Sequence, residues 1–151
     1  MQDLINKIKL QIELSSKAED SLLSIATEKN IQKGTTLILE GEVVNKIYYV
    51  KSGCLRSFCS DKKGKEHTLV FAIKDWWISD YIAYYGKGEA MLSVECLSDC
   101  IVLQSDKISI EKVFEKFPHI ETFHRKNLEK SFVRLNKRIV NQLQLNARDR
   151  F

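Results

Sequence analysis

The chain has 151 residues and a mass of 17.5 kDa, with 44% hydrophobic residues, 29% charged residues and a formal net charge of +4 at pH 7. This balance, with six Gly and one Pro, excludes disordered, collagen-like and low-complexity chains and predicts a single globular core. The longest apolar runs, such as residues 69–73, are far shorter than the roughly 18 residues of a membrane-spanning helix, so no such segment is expected.

The two ends of the chain bear on location and partners. Charged side chains interrupt the N-terminal segment, so no secretory signal is predicted, and we expect a cytoplasmic protein without membrane contact. Residues 1–120 carry 16 Lys and Arg against 17 Asp and Glu, whereas residues 121–151 carry 8 against 3. A basic terminal helix suits nucleic acid but is more often a solvated face, and we favour the solvated face.

Two helices are predicted before the first glycine. Leu4, Ile8 and Ile12 recur at helical spacing. Ser16 followed by Glu19 forms a capping box, which predicts a second helix that ends near residue 28. All six Gly lie between residues 34 and 88, so turns and β-strands are expected in the middle of the chain.

From residue 31 the pattern changes to short segments that are rich in β-branched and aromatic residues and are separated by turn residues. The predicted strands are 37–39, 47–50, 55–59, 68–72, 92–96 and 101–103. Six to eight strands at roughly ten-residue spacing are typical of a β-sandwich or barrel, including the jelly roll. After them, Ser109 is expected to cap a short helix over 110–117, which Pro118 ends.

No Gly or Pro interrupts the chain after residue 120, so one helix of about 30 residues, roughly 45 Å long, is predicted. It carries an apolar stripe of Leu128, Phe132, Leu135, Ile139 and Leu143. Either this face packs only on its own sheet, or its later part pairs with the same helix of a second chain. We favour the second interpretation, a homodimer through the C-terminal helix, because the face is too long for a roll of this size to cover.

Four motifs follow one another through the predicted β region: KG at 33–34, LILEGE at 37–42, IYYVKSG at 47–53 and DKKGKE at 61–66. With the helical start and the long terminal helix, they resemble the sensory half of the CRP/FNR transcription regulators and its cyclic-nucleotide-binding roll. The resemblance implies an α+β fold: a double-stranded β-helix (jelly roll) of about eight antiparallel strands, with N-terminal helices and a long C-terminal dimerisation helix. Residues 1–118 would form the sensory β-roll with flanking helices, and residues 119–151 the dimerisation helix.

Cyclic-nucleotide-binding members of that family hold the ribose and the phosphate with a Gly-Glu pair on a helical turn and a downstream Arg-Ser/Thr-Ala. The resemblance assigns this cassette to a segment that contains Trp77, Ser79, Asp80, Tyr81, Ala90 and Met91. Asp80 stands where the family has Glu, Ala90 stands at the arginine position and Met91 at the hydroxyl position. An anionic ligand would therefore lose its charge partner, and cyclic AMP binding in the family's manner is not expected.

Aromatic residues crowd the same segment and suggest a different effector. A pocket bordered by Trp77, Tyr81 and Tyr85, with Asp80 and Ser93 as polar handles, is expected to admit a small uncharged or aromatic molecule of unknown identity. In the alternative, these rings only close the open end of the roll as core, and the pocket is empty and collapsed.

CRP/FNR regulators continue after the long helix into a winged helix-turn-helix. The resemblance therefore implies the ligand-sensing and dimerisation domain of a transcription regulator, which would bind DNA only through a helix-turn-helix domain missing from this chain. The alternative is a stand-alone cyclic-nucleotide-type small-molecule-binding module that signals through a protein partner.

No catalytic machinery is expected. Among the histidines, only His67 lies in the β region, so the metal-binding cluster of a jelly-roll enzyme is missing. The cysteines form no Cys-x-x-Cys pair and are expected to be reduced, structural thiols; they are Cys54, Cys59, Cys96 and Cys100. We therefore expect a protein that is not an enzyme and has neither a cofactor nor a metal.

Overall fold

The structure, a computed structural model, describes residues 1–149, in which helices flank two antiparallel sheets. In chain order the elements are α1 (Gln2–Lys9), α2 (Ser16–Ile25), β1 (Thr27–Ile31), β2 (Thr36–Ile38), β3 (Lys46–Ser52), β4 (Leu55–Ser60), β5 (Glu66–Ala72), β6 (Trp77–Ile78), α3 (Tyr81–Gly86), β7 (Ser93–Cys96), β8 (Cys100–Asp106), α4 (Lys107–Lys116) and α5 (Pro118–Asp149). The strand orders are β1-β8-β3-β6 and β2-β7-β4-β5. These eight strands of the described chain confirm the predicted α+β jelly roll.

The main hydrophobic core lies between the two sheets. The first sheet contributes Ile47, Val50 and Val102, and the second contributes Leu55 and Val94. All five side chains are fully buried. The period of two along a strand sends alternate side chains into this space, so short strands with few apolar residues each are enough to fill it.

Gly53, in the turn between β3 and β4, is required by both conformation and space. Its φ is +92°, which residues with a side chain rarely adopt. A Cβ at this position would lie 2.5 Å from the carbonyl oxygen of Asp99 and 2.6 Å from the Sγ of Cys100. The lack of a side chain at Gly53 therefore lets the β3–β4 turn pack closely against the β7–β8 turn.

Three details of the helix boundaries differ from the sequence predictions. Ser15, not Ser16, caps α2, and its Oγ accepts the N–H of Ala18 at 3.2 Å. That helix ends at Ile25 instead of near residue 28, because the following residues pair with β8 as strand β1. Asp106, not Ser109, caps α4, since its carboxylate accepts the N–H of Ser109 at 3.1 Å.

Helix α5 has two parts with different surroundings. Near its start, Ile120 and Phe123 are buried, and Ile120 packs with Ala18 of α2 and Val113 of α4. From residue 131 to residue 147 every side chain is exposed. The long helix is confirmed over the described residues, and it begins at Pro118, whose fixed φ suits a first helical position. None of the described helices is both long and apolar enough to cross a membrane.

Candidate functional site

The segment from β6 to β7, which we call the cassette (residues 77–93), is organised around the carboxylate of Asp80. Its Oδ1 accepts the backbone N–H groups of Ile82 at 2.9 Å and Ala83 at 3.2 Å and so caps α3. Its Oδ2 accepts those of Met91 at 2.7 Å and Leu92 at 3.0 Å. One fully buried side chain thus ties both ends of the cassette together.

These four bonds decide what Asp80 can do chemically. Both oxygens already serve two donors each, so the side chain has little capacity left for a ribose hydroxyl. The carboxylate also places a negative charge against the backbone amides of Met91 and Leu92, where it would repel a phosphate. In this structure Asp80 is a positioning residue of the cassette, and its predicted role as a ligand handle stays a prediction.

The two serines predicted in the site are also engaged with the backbone. Ser79 Oγ donates to the carbonyl of Lys46 at 2.6 Å, and Ser93 Oγ accepts the N–H of Glu40 at 3.0 Å. Both side chains are buried. They fasten the cassette to neighbouring strands.

The positions assigned to the anion-binding residues differ in exposure. Ala90 is buried, and its backbone exchanges hydrogen bonds with Gly41 at 2.8 Å and Glu42 at 2.7 Å. Met91 is 58% exposed. A buried methyl group and an exposed thioether offer no positive charge to a ligand in the roll.

Within the roll, Arg56 is the arginine closest in sequence to the cassette. Its guanidinium already donates hydrogen bonds to carboxylates. Its Nε donates to Glu95 at 2.7 Å and its Nη2 to Glu66 at 3.0 Å, while the guanidinium lies 4.0 Å from the ring centroid of Phe58. These hydrogen bonds raise the pKa of Arg56 and keep it charged. Arg125, on α5, is paired with Glu129. Both guanidinium groups are therefore already paired with carboxylates.

A cluster of tyrosines connects the cassette to the helices. Tyr81 and Tyr85 stack with centroids 5.9 Å apart, and Tyr84 meets Tyr85 edge-on at 4.9 Å. The hydroxyl of Tyr85 lies 2.9 Å from Nε2 of His124 on α5. Burial lowers the pKa of His124, which favours the neutral ring in this contact. No sequence pattern points to His124 as a partner of the cassette, because the two residues in contact are 39 positions apart.

Two cavities lie between the cassette and the helices that flank the roll. A cavity of about 400 Å³ between α1, the β5–β6 turn and α5 is bordered by Trp77, Tyr81 and Leu128. A more open groove of about 640 Å³ runs past Tyr85 and Arg125. The structure does not bring the predicted site residues together. Trp77 and Tyr81 border the first cavity, Tyr85 borders the groove, and the exposed Met91 borders neither. The other four are buried and are Ser79, Asp80, Ala90 and Ser93.

The residues predicted to form the dimer interface lie in a largely solvent-exposed stripe along α5. Leu128, at the edge of the cavity, is half-buried. The others are exposed to between 37% and 67% of their surface and are Phe132, Leu135, Ile139 and Leu143.

The four thiols are free, and three of them lie near the β7–β8 turn. The Sγ of Cys100 lies 3.5 Å from the carbonyl oxygen of Cys54. Burial, with Cys100 nearby, raises the pKa of the Cys96 thiol to about 12. A thiol with so high a pKa is a poor nucleophile and a poor metal ligand at neutral pH. Within the described residues no group of three or more His, Cys, Asp or Glu side chains is placed to hold a metal ion.

Comparisons with known proteins agree with this geometry. The cyclic nucleotide-binding domain family matches residues 28–117. The anaerobic regulatory protein of Bacillus subtilis (strain 168) is 29% identical over 99 residues, which are 66% of this chain and 42% of that protein, so the chain spans less than half of this relative. Among solved structures, the Thermus thermophilus catabolite activator protein has a TM-score of 0.68 at 20% identity, over 89% of this chain and 61% of that one. The sensor domain of the transcriptional regulator DNR from Pseudomonas aeruginosa also has a TM-score of 0.68, at 19% identity, over 91% and 93%.

Proposed function

Because the chain belongs to the cyclic nucleotide-binding domain family, with the domain type found in CRP/FNR regulators, we propose that it is the ligand-sensing, dimerising domain of a CRP/FNR-like transcription regulator. The proposal rests on the two different environments of α5. Near its start, a side chain of this helix lies within hydrogen-bond distance of the cassette, whereas the later part of the helix has an exposed apolar face. A sensor that communicates through a paired helix needs both features.

The apolar stripe of α5 suits a second copy of the same helix. Phe132, Leu135 and Ile139 are spaced by three and four residues, which is the spacing of a two-stranded helical seam. Exposed apolar side chains in such a continuous row mark an interaction surface. In a two-fold dimer the same stripe would meet itself, so one chain supplies both sides of the contact.

Two contacts connect the cassette to the helices and provide a route for a signal. Tyr85 contacts His124 of α5, and Lys107 of α4 donates from its Nζ to the carbonyl of Tyr84 at 2.8 Å. A ligand that favours one arrangement of α3 would shift the population of the attached helices by its difference in affinity for the two states. Paired α5 helices would carry that shift to a DNA-binding domain that follows them.

The effector is proposed not to be a cyclic nucleotide held in the family's manner. Support comes from the buried carboxylate of Asp80 against the amides of Met91 and Leu92 and from the absence of an arginine at Ala90. A phosphate would meet a like charge and lack a counterion. A small uncharged or aromatic molecule avoids both costs.

Sedimentation of the chain with two matched variants tests the dimer. Ile139→Glu places a charge in the middle of the stripe, whereas Asn141→Glu adds the same charge to an exposed position on the opposite face of the helix. At about 100 μM we expect a dimer for the wild type and for Asn141→Glu, and a monomer for Ile139→Glu, since a buried unpaired charge is costly. A wild-type monomer at that concentration would refute the proposal.

A further inference from the structure

The 400 Å³ cavity beside the cassette is built from three separate parts of the chain. Helix α1 contributes Lys7, the β5–β6 turn contributes Trp76, and α5 contributes Arg134. The volume lies within the roughly 300–1,000 Å³ of small-molecule sites. This cavity, which we call the helix-side pocket, is bordered neither by Ala90 nor by Met91 and is therefore distinct from the cyclic-nucleotide position of the roll.

The walls of the helix-side pocket carry a positive excess. Its cationic side chains are Lys7, Lys74, Lys130 and Arg134. Asp75 is the one carboxylate of the lining, and its Oδ1 accepts the hydroxyl of Tyr49 at 2.6 Å. None of the four cations forms an ion pair with a carboxylate in the described part of the chain. Four positive charges against one negative charge leave a surface that attracts an anion.

Aromatic rings line the same pocket. Trp76, Trp77 and Tyr81 all border it. The guanidinium of Arg134 lies 4.2 Å from the ring centroid of Trp76, so this cation is held against an aromatic face without a carboxylate partner. Its Nη2 donates to the Oγ of Ser131 at 3.1 Å, which leaves the other guanidinium donors for a carboxylate ligand, while the rings offer faces for stacking.

We propose that the helix-side pocket binds a small aromatic carboxylate. The ring lies among Trp76, Trp77 and Tyr81, and the carboxylate pairs with Arg134 and Lys130. Every group comes from one chain, so the proposed site does not need a second copy.

Ligand titration followed by tryptophan fluorescence tests the site directly, because the two Trp of the chain, Trp76 and Trp77, both line the pocket. The probe is 3-phenylpropanoate. Its neutral counterpart is 3-phenylpropanamide, and its counterpart without a ring is hexanoate. We expect saturable binding of the probe with a Kd below about 1 mM, and at least tenfold weaker binding of both counterparts.

Three variants locate the binding. Arg134→Gln is expected to weaken binding of the probe about tenfold, because it removes the charge that pairs with the carboxylate. Arg138→Gln makes the same change one turn further along the exposed helix, away from the pocket, and should leave the Kd unchanged. Met91→Gln changes an exposed side chain that does not border the pocket and should also leave the Kd unchanged.

Four outcomes overturn the proposal: no saturation by 3-phenylpropanoate, equal affinity for the amide, an unchanged Kd in Arg134→Gln, or a loss confined to Met91→Gln. The last outcome would place the ligand in the roll. Sedimentation of the same samples reports the dimer separately, so failure of the pocket and failure of the proposed dimer are distinguishable.

Discussion

Replacing Asp80 with Asn tests whether one buried carboxylate holds the cassette together. The amide has nearly the same shape but only one acceptor oxygen, and its NH₂ group is a donor. Whichever way the amide turns, either the pair Ile82 and Ala83 or the pair Met91 and Leu92 faces that NH₂ group. Two backbone N–H groups then lose their acceptor.

The magnitude follows from the burial of those donors. Each carboxylate oxygen serves one buried N–H, that of Ala83 or Leu92, and one partly buried N–H. A buried donor without an acceptor costs about 1–3 kcal/mol, and a partly buried one costs about 1 kcal/mol. We therefore expect the free energy of unfolding to fall by about 3 kcal/mol, which corresponds to a melting temperature lower by roughly 10 °C for a domain of this size.

Urea denaturation followed by tryptophan fluorescence measures this loss. Asp99→Asn is the matched control, because its carboxylate accepts a single backbone N–H, that of Lys33 at 2.8 Å, at an exposed position. An Asn carbonyl can replace that acceptor, and the control should lose less than about 1 kcal/mol. If Asp80→Asn is no less stable than Asp99→Asn, the carboxylate is not the anchor of the cassette and the argument against phosphate binding fails with it.

Three further outcomes are expected. Gly53→Ala should lower the free energy of unfolding by more than about 2 kcal/mol, because the backbone strain and the 2.5 Å contact add. Gly64 has a similar φ of +81° but open space around it, so Gly64→Ala should cost only about 1 kcal/mol. Equal losses in urea denaturation would contradict this difference. The fold lowers the pKa of His124 from 6.5, so the unfolded chain binds a proton on this ring more readily than the folded chain. The stability that the neutral ring contributes is therefore lost as the pH falls below 6.5. Between pH 7.5 and pH 5, His124→Gln should lose less free energy of unfolding than the wild type. Calorimetric titration with cyclic AMP and cyclic GMP should show no binding tighter than about 10 μM, and tighter binding would show that other groups replace the missing arginine.

Local sequence patterns predicted the order of the elements and most strands. The strand predicted over 47–50 lies within Lys46–Ser52, and the one predicted over 55–59 lies within Leu55–Ser60. Strand β1 was not predicted, because four of its five side chains are exposed and it shows no apolar alternation. Its strand conformation is stabilised by antiparallel pairing with β8, which lies about 70 residues later in the chain. The two misassigned caps have a similar cause, since neighbouring residues with suitable oxygens compete and only the backbone conformation selects one.

The sequence by itself predicted a β-sandwich or barrel and the long helix, because periodicity and glycine turns are local properties, while the order of its motifs supplied the resemblance that assigned the cassette. Only the tertiary structure decided what those residues do. Two of the four bonds to Asp80 span 11 and 12 residues, and the contact of Tyr85 with His124 spans 39 positions. The helix-side pocket needs α1, a β-turn and α5 at once. Such contacts depend on how packed elements meet in space, and no local pattern in the chain encodes that arrangement.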